Sequence, residues 1–508
     1  MKVRIAFVLF VYIVAVNIPL WIATHFIGFL LTGLFNVELV VLGILSVFLR
    51  RMVTVVLLPF VILLDIARGI GMTYLLRPSE MINSTRYLSE AVPSHFLGIV
   101  AVVACIGVVC LLGAVASGSR LDGREQAFVA SALTIFVVVC GAVDVATGHT
   151  SALRRDYQAG AVRLTRFPSH ALVMSELNHR RYSAGANVLV PAASKVMVRF
   201  DGASVLPRTN AMAPNVVLIL VESWGRPLAA DLEGALVRPY GGKELSEKYT
   251  VERGTVPFYG PTVAGEAREL CSSAMGFGLL TAPRSQLKDC LPTKMRMLGY
   301  HSVAVHGFSA RMFDRGEWYG RIGFDETWFR EQLQAQGLPL CPGPFPGTCD
   351  AAVSEWIGDQ LQREADSPQF IYWVTLNSHL PVPLPNLVKA PPSCSDVSST
   401  AEDPAMCSWY QLVFNVHRSV SELALRSTTR PTVFLIVGDH APPFSSSRLR
   451  SQFSDRVVPY ILLTPKRGEL REGPQPLRSF AVATHTPSVL RRPHWKKGRT
   501  SSFLPAAE

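Results

Sequence analysis

The sequence predicts a two-part protein of α/β class: an N-terminal membrane domain of five helices, then a doubly wound α/β domain. Three observations predict it. Residues 1–146 are overwhelmingly apolar, while the rest of the 508-residue chain is polar, rich in Arg and Pro, and punctuated by β-type runs. Four of those runs end at or just before Glu222, His306, His379 and the pair Asp439-His440. Helical patterns lie between them, near 284–298, 350–364 and 409–427. Strands alternating with helices build a parallel sheet covered on both faces.

The membrane part comes first. Apolar segments run over approximately 4–22, 27–49, 53–75, 96–116 and 127–146, each long enough to span a bilayer. The first follows Lys2 and Arg4, but no small-residue cleavage site follows it and a second span begins at once, so it reads as a retained anchor. Lys2 and Arg4, then Arg50 and Arg51, then Arg120 and Arg124 fall on one side, which the positive-inside rule makes cytoplasmic. An odd number of spans then puts the remainder outside, in the periplasm or its equivalent. Asp65 and Arg68 share one helical face of the third span; a neutralising pair is the first reading, a contact with a lipid headgroup the second.

Residues 147–213 read as a juxtamembrane linker with helical patches near 151–162 and 169–188. Residues 214–508 form the extracytoplasmic domain. Its six cysteines, Cys271, Cys290, Cys341, Cys349, Cys394 and Cys407, fit an oxidising compartment. Pairing neighbours gives 271–290, 341–349 and 394–407, although sequence alone does not fix connectivity. Cys105, Cys110 and Cys140 lie in the spans and read as small apolar residues.

The run Asn215–Val221 is apolar at every position after Asn215, as a central parallel strand requires. It ends in Glu222-Ser-Trp-Gly, and ligands of open α/β sheets bind at such carboxyl ends. Glu222 there either caps a following helix or faces a cation. The segment from Gly254 begins as a Gly/Pro-rich loop and turns helical at Thr262. A hydroxyl at a helix start either caps it or serves as a nucleophile facing an anion. Val457–Leu463 reads as a further strand, with Pro459 placing it at an edge or a bulge. The tail 466–508 is basic and Pro-containing and takes no assignment; His485 opens a turn in it whose role reads as structural.

Two carboxylates and an imidazole, Glu222, Asp439 and His440, suit Zn²⁺ or Mn²⁺, with the Thr262 oxygen completing the set. A metal lowers the pKa of a hydroxyl that is otherwise a poor nucleophile. His306, Arg315 and His379 would bind phosphoryl oxygens or protonate a leaving group. The formal charge of +11 is spread along the chain, with no finger spacing, phosphate loop or basic-aromatic stretch, which argues against nucleic acid and suits anionic phospholipid.

With these residues in place, the chain resembles the membrane-anchored headgroup transferases of the alkaline phosphatase/sulfatase superfamily: lipoteichoic acid synthases, glucan phosphoglycerol transferases and phosphoethanolamine transferases. Asn215–Ser223 resembles the family's first strand and metal-binding Glu, Gly438-Asp439-His440 its Asp-His pair, and Thr262 its nucleophile. Glu266 four residues on, and Thr-x-Ala-Gly with Cys271 nine residues on, match two branches of the group. His306 with Arg315, Ser378-His379-Leu-Pro381, Gly323-Phe-Asp325 and Val458-Pro-Tyr460 are further landmarks. Phe313 stands where some members carry a Trp, and the context of Thr262 departs from that of the phosphoethanolamine branch. The resemblance implies a sulfatase/alkaline phosphatase-like domain with one divalent metal, Zn²⁺ or Mn²⁺, held by Glu222, Thr262, Asp439 and His440. It implies a phospholipid donor, a glycan or glycolipid acceptor, and His306, Arg315 and His379 as donor-binding residues. The alternative is a hydrolase, phosphodiesterase or sulfatase, that releases the group to water. A true sulfatase requires Cys or Ser in a C/S-x-P-x-R context, and no such segment follows the first strand.

Overall fold

A computed structural model describes residues 2–19, 21, 33–46, 51–73, 78, 81, 87, 94–146, 164–173, 177, 191–196, 213–258, 260–342, 345–379, 392–401, 403–444 and 447–466. The patch 151–162, residues 174–176 and 178–188 of the patch 169–188, Leu380 and Pro381, and the tail from 467 with His485 lie outside them.

The apolar N-terminal third folds into α1 (Lys2–Phe10, continued by a π turn at Val11–Ala15), α2 (Val37–Ser46), α3 (Arg51–Thr73), α4 (Ser94–Gly118) and α5 (Gly123–Ala146). Among the described residues, three helices are long and apolar enough to cross a membrane: Lys2–Pro19, Met52–Gly69 and Gly123–Ala146. Val37–Ser46, inside the second expected span, and Cys105–Gly118, which overlaps the fourth, are shorter apolar helices. Val8, Tyr12, Val40, Leu111 and Leu133 pack where these helices meet.

The expected Asp65–Arg68 pair is replaced by another. The Asp65 carboxylate takes Arg166, at 2.6 Å, with both side chains buried. Arg166 also donates to the carbonyls of Gly33 and Leu34 and to Asn17. A planar fork satisfies several acceptors at once, so a cation arriving from the linker outcompetes one on the same helix. Asp144, at the end of α5, accepts from the amides of Leu164 and Thr165. The linker is thereby clamped to one end of the helical bundle.

Beyond the linker a seven-stranded sheet forms from β1 (Asn215–Val221), β2 (Tyr249–Pro257), β3 (His301–His306), β4 (Glu326–Trp328), β5 (Gln369–Val374), β6 (Thr432–Gly438) and β7 (Val457–Pro465), in the order β2-β7-β6-β1-β5-β3-β4. β1 lies at the centre between β6 and β5, parallel to both and buried at every residue. Its side chains alternate between two cores. Val216, Leu218 and Leu220 pack beside α6 (Thr262–Cys271) and the helix Leu291–Met297. Val217, Ile219 and Val221 pack beside α8 (Asp350–Gln362) and α9 (Pro404–Leu425). The remaining helix that matters to the site, α7 (Arg315–Ile322), contributes Trp318, Tyr319 and Ile322 to the first core.

Two readings require correction. β7 is interior, not an edge: it runs antiparallel between β6 and β2. Pro459 is tolerated because the pairing with β6 has already ended at Val437–Tyr460. Residues 254–257, read as the start of a loop, close β2, the true edge. An edge strand with one solvated face needs no apolar run, so Tyr249–Pro257 looks polar in sequence. The three disulfides are Cys271–Cys290, Cys341–Cys349 and Cys394–Cys407, as neighbour pairing gives.

Candidate active site

The parallel strands end on one side, and the predicted residues meet there. Glu222 follows β1, Asp439 and His440 follow β6, His306 closes β3, and His379 lies five residues past β5. One cleft is lined by Glu222, Thr262, His306, Arg315, His379 and His440. Asp439 is 1 % exposed and lies behind them. The cleft encloses about 560 Å³, open solvent at its mouth included, which suits a small polar group better than a whole lipid.

Neither capping role materialises. No helix follows Glu222 until Ala230, and the residue capping α6 is Pro261, with no side-chain bond. The Thr262 hydroxyl instead donates to Glu222 Oε2 at 2.9 Å. Two glycines allow this closeness. A Cβ on Gly265 would lie 3.1 Å from Asp439 Cβ, closer than most such contacts, so glycine lets α6 press against the end of β6 without displacing it. A Cβ on Gly438 would strike the Trp224 carbonyl, which closes the turn after β1. Ser223 in that turn has φ of 57°, a left-handed conformation that costs a non-glycine residue of order 1 kcal/mol. Trp409 Nε1 donates to the Ser223 carbonyl, the Ser378 hydroxyl to the Glu222 carbonyl, and the Ser223 amide to Asp439 Oδ1.

The donor set fits a cation. Ligand atoms of Glu222, Asp439 and His440 all lie within 4.8 Å of one another. His440 Nδ1 faces the Ala441 carbonyl at 2.9 Å and must donate to it. In the neutral ring Nε2 then carries a lone pair, yet it sits 3.3 Å from Asp439 Oδ2 and 3.5 Å from Glu222 Oε1. Asp439 Oδ2 is buried and accepts no hydrogen bond among the described residues. Three acceptor atoms converging in a buried place are stable only around positive charge. The titration directions agree. Burial, then the Glu222 charge, raise the Asp439 carboxyl. Burial opposes ionisation of Glu222 too, but His379, His440 and the Ser223 and Thr262 hydroxyls hold its carboxyl low. Burial works against a charged His440, and the Asp439 and Glu222 charges outweigh it and raise its pKa.

The other side of the cleft is already balanced. Arg315 donates through Nε and Nη2 to Glu266, with Nη2 at 2.9 Å from Oε2. The Tyr319 hydroxyl adds a bond of 2.5 Å to Glu266 Oε1, and that of Tyr372 one of 3.4 Å. Both residues of the ion pair are buried. The planar fork expected to grip a phosphoryl group therefore grips a carboxylate, and Nη1, which lies 3.5 Å from the Met312 carbonyl, is the edge nearest the cleft that Glu266 does not take. Phe313 and Asp314, both at positive φ, turn the chain into α7, and the Phe313 ring lies 5.2 Å from the Arg315 guanidinium. Tyr87, from the segment between α3 and α4, meets Phe313 edge-on at 5.5 Å. His306 Nδ1 donates to the Val374 carbonyl, and burial followed by the Arg315 charge push its pKa down to about 3. It is a neutral ring whose Nε2 accepts. His379 is half-buried and packs edge-on against Phe345 at 4.5 Å.

Several residues were missed. Arg268 lies buried beneath the site, with Nη2 on the Gly438 carbonyl at 2.7 Å and Nη1 near that of Asp439 at 3.4 Å. Its Nε pairs with Glu269, whose other oxygen accepts the Ala193 amide of the linker. Asp350 accepts the amides of Leu376 and Asn377 and so holds the loop that carries His379. Charges packed into the Glu266–Glu269 helix were the available signal, since a helix flanked by apolar strands carries ionised residues only when they are paired.

A family model described as sulfatase matches residues 214–502. The chain belongs to the sulfatase family. Solved structures similar to this sulfatase-family chain include a protein of the alkaline phosphatase superfamily from Vibrio parahaemolyticus (17 % identity over 54 % of this chain and 66 % of that one, TM-score 0.35). The lipoteichoic acid synthase LtaP from Listeria monocytogenes is another (14 %, 53 % and 71 %, TM-score 0.35). The phosphoglycerol transferase GacH from Streptococcus pyogenes is a third (13 %, 54 % and 77 %, TM-score 0.34). The chain thus spans 66 % of the length of the first. No curated protein matches the chain.

Proposed function

We propose that this sulfatase-family protein transfers a phospholipid headgroup, phosphoglycerol or phosphoethanolamine, to a glycan or glycolipid outside the plasma membrane. The observation that carries the reading is the Thr262 hydroxyl, bonded to Glu222 Oε2 at the start of a helix and beside a cluster built for a cation. Glu222, Thr262, Asp439 and His440 would hold one divalent ion, Zn²⁺ or Mn²⁺. When bound, the ion supplies Lewis-acid charge at the hydroxyl and at the phosphoryl oxygens.

The residues divide the work as follows. The Thr262 hydroxyl passes its proton to Glu222 Oε2, to which it is bonded, Oγ1 attacks phosphorus, and the bond to the diacylglycerol oxygen breaks, leaving the headgroup phosphate esterified to Thr262. The leaving alcohol takes a proton, for which His379, on the open side of the cleft, is the donor. An acceptor hydroxyl then gives its proton to His379 and attacks phosphorus, the bond from phosphorus to Thr262 Oγ1 breaks, and Oγ1 takes its proton back from Glu222. The amides at the start of α6 and the Arg315 Nη1 edge face the phosphoryl oxygens. His306, neutral with an accepting Nε2, suits a hydroxyl or ammonium of the headgroup better than a phosphoryl oxygen. The apolar helices support a cleft beside a membrane, and the charge pattern of the loops supports its facing outward.

Mass spectrometry of full-length protein incubated with phosphatidylglycerol or phosphatidylethanolamine tests this. One of the two lipids should leave its headgroup phosphate on Thr262, and Thr262→Ala should carry no adduct and lose turnover by about a thousandfold or more while still folding. An unmodified Thr262 with both lipids, or near-normal turnover of Thr262→Ala, would overturn the covalent route. Product formed only when a glycan acceptor is added separates a transferase from a hydrolase.

A further inference from the structure

The helix that starts at Thr262 also carries two buried charges that the proposed chemistry does not use. Arg268 and Glu269, near the end of α6, are each 1 % exposed. Charges that far from water persist only where their donors and acceptors are matched. The matches lead to two places. Arg268 Nη2 donates to the Gly438 carbonyl at 2.7 Å, and Nη1 to those of Pro257 at 3.2 Å and Asp439 at 3.4 Å. Gly438 ends β6, and Asp439 and His440 follow it. The Asp439 amide donates to the Val221 carbonyl, and the His440 amide to Asp439 Oδ1 at 2.6 Å. In the other direction, Arg268 Nε donates to Glu269 Oε1 at 2.6 Å, and Glu269 Oε2 accepts the Ala193 amide at 2.9 Å. Ala193 lies in a short helical turn of the linker, and Ala192, Ala193 and Val196 are buried in the same core as Val263 and Ala267 of α6.

We propose that Arg268 and Glu269 are positioning residues for the metal site, and that through them metal affinity is tied to the docking of the linker turn at Ala193. The inference rests on the metal-dependent reading above. Peptide units are planar, so holding the carbonyls of Gly438 and Asp439 fixes the direction in which the Asp439 carboxylate and the His440 ring leave the strand. Groups behind a set of ligands tune metal affinity in this way. A guanidinium fork bridges two carbonyls at once, whereas an ammonium is a single point of charge. Glu269 sets the rotation of the fork through Nε, and the linker amide holds the other oxygen of Glu269. Such coupling is reciprocal: a docked linker that favours the ion is itself favoured by the ion, by the same factor.

Two measurements on chelator-treated, full-length protein in a non-ionic detergent test this: calorimetric titration with Zn²⁺ or Mn²⁺, and amide hydrogen exchange over 192–196 with and without the ion. Wild type should bind one ion, and the ion should slow exchange at Ala193. Arg268→Lys keeps the charge without the fork, and Glu269→Gln keeps the shape but turns an N–H toward a donor. Each should bind the ion about tenfold or more weakly. In Glu269→Gln the ion should no longer slow exchange at Ala193. If Arg268→Lys folds poorly, Glu269→Gln carries the test, and the exchange experiment on wild type needs no variant. A pair that serves stability alone would lower the denaturation midpoint of the metal-free variants and leave their affinity at the wild-type value; that result would overturn the positioning role. Exchange at Ala193 that ignores the ion in wild type would overturn the tie to the linker. A wild-type chain that binds no ion would overturn the metal-dependent reading itself, and the inference with it.

Discussion

The two walls of the cleft hang from the same helix and have opposite electrostatic character. Toward Thr262 and Gly265, Glu222, Asp439 and His440 bring acceptor atoms together with too little positive charge among them. Toward Glu266, one carboxylate meets Arg315, Tyr319 and Tyr372 and is fully satisfied. The first wall is stable only with something bound; the second needs nothing. On the proposed function reactivity belongs to the first, and the second holds α7 and Phe313 in place beside it.

Substitutions in the two walls should move stability in opposite directions. Glu266→Ala strands the Arg315 charge in a buried place, and the expected loss is about 3–5 kcal/mol, read as a fall in denaturation midpoint with or without metal. A loss below about 1 kcal/mol would mean that the pair is solvated and the wall is not self-sufficient. Asp439→Asn removes one of two buried, close carboxylates. Its Oδ1 can still accept from the Ser223 and His440 amides. The metal-free variant should therefore be more stable than metal-free wild type by on the order of 1 kcal/mol, while its gain on adding Zn²⁺ or Mn²⁺ shrinks. Destabilisation of the metal-free form would show that the carboxylates attract protons strongly enough to need no ion.

The same contrast explains what the sequence disclosed. Glu222, Thr262, His306, His379, Asp439 and His440 were legible because each stands at or just past the end of a β-rich run or at the start of a helix, where a parallel fold delivers side chains to one edge, while Arg315 was named from its spacing nine residues after His306. Their partners were not. Asp65 chose Arg166, 101 residues away, over Arg68 one turn along the same helix, a choice that depends on where the linker docks. Arg315 chose Glu266, which turned an expected phosphate fork into a scaffold. β2 was missed because an edge strand has no apolar signature, and β7 was misplaced because strand order is set by side-chain packing between helices rather than by local pattern. Local periodicity encodes elements; which charges neutralise one another emerges only after the chain has closed.

The smallest expected effect separates the histidines. In the metal-free protein the neighbouring carboxylates raise His440, whereas burial lowers both His306 and His417 to about 3. His417 lies on the opposite face of the sheet, with Nδ1 3.0 Å from the Tyr240 hydroxyl and its ring 4.2 Å from that of Trp224. A lowered folded pKa means that the unfolded chain binds the proton first. The stability His417 contributes is therefore complete above its ordinary pKa near 6.5 and is lost as pH falls from there toward 3. The slope approaches about 1.4 kcal/mol per pH unit for one such histidine. Between pH 6 and 5, His417→Gln should flatten the stability profile by roughly 1 kcal/mol, measured by denaturant unfolding of the chelated protein. His440, raised by its neighbours, runs the other way and gains stability as the pH falls through its folded pKa. Adding metal should cancel the His440 contribution and leave that of His417 untouched. A slope unchanged by His417→Gln would mean that His417 is protonated in the folded state and that burial is not what controls it.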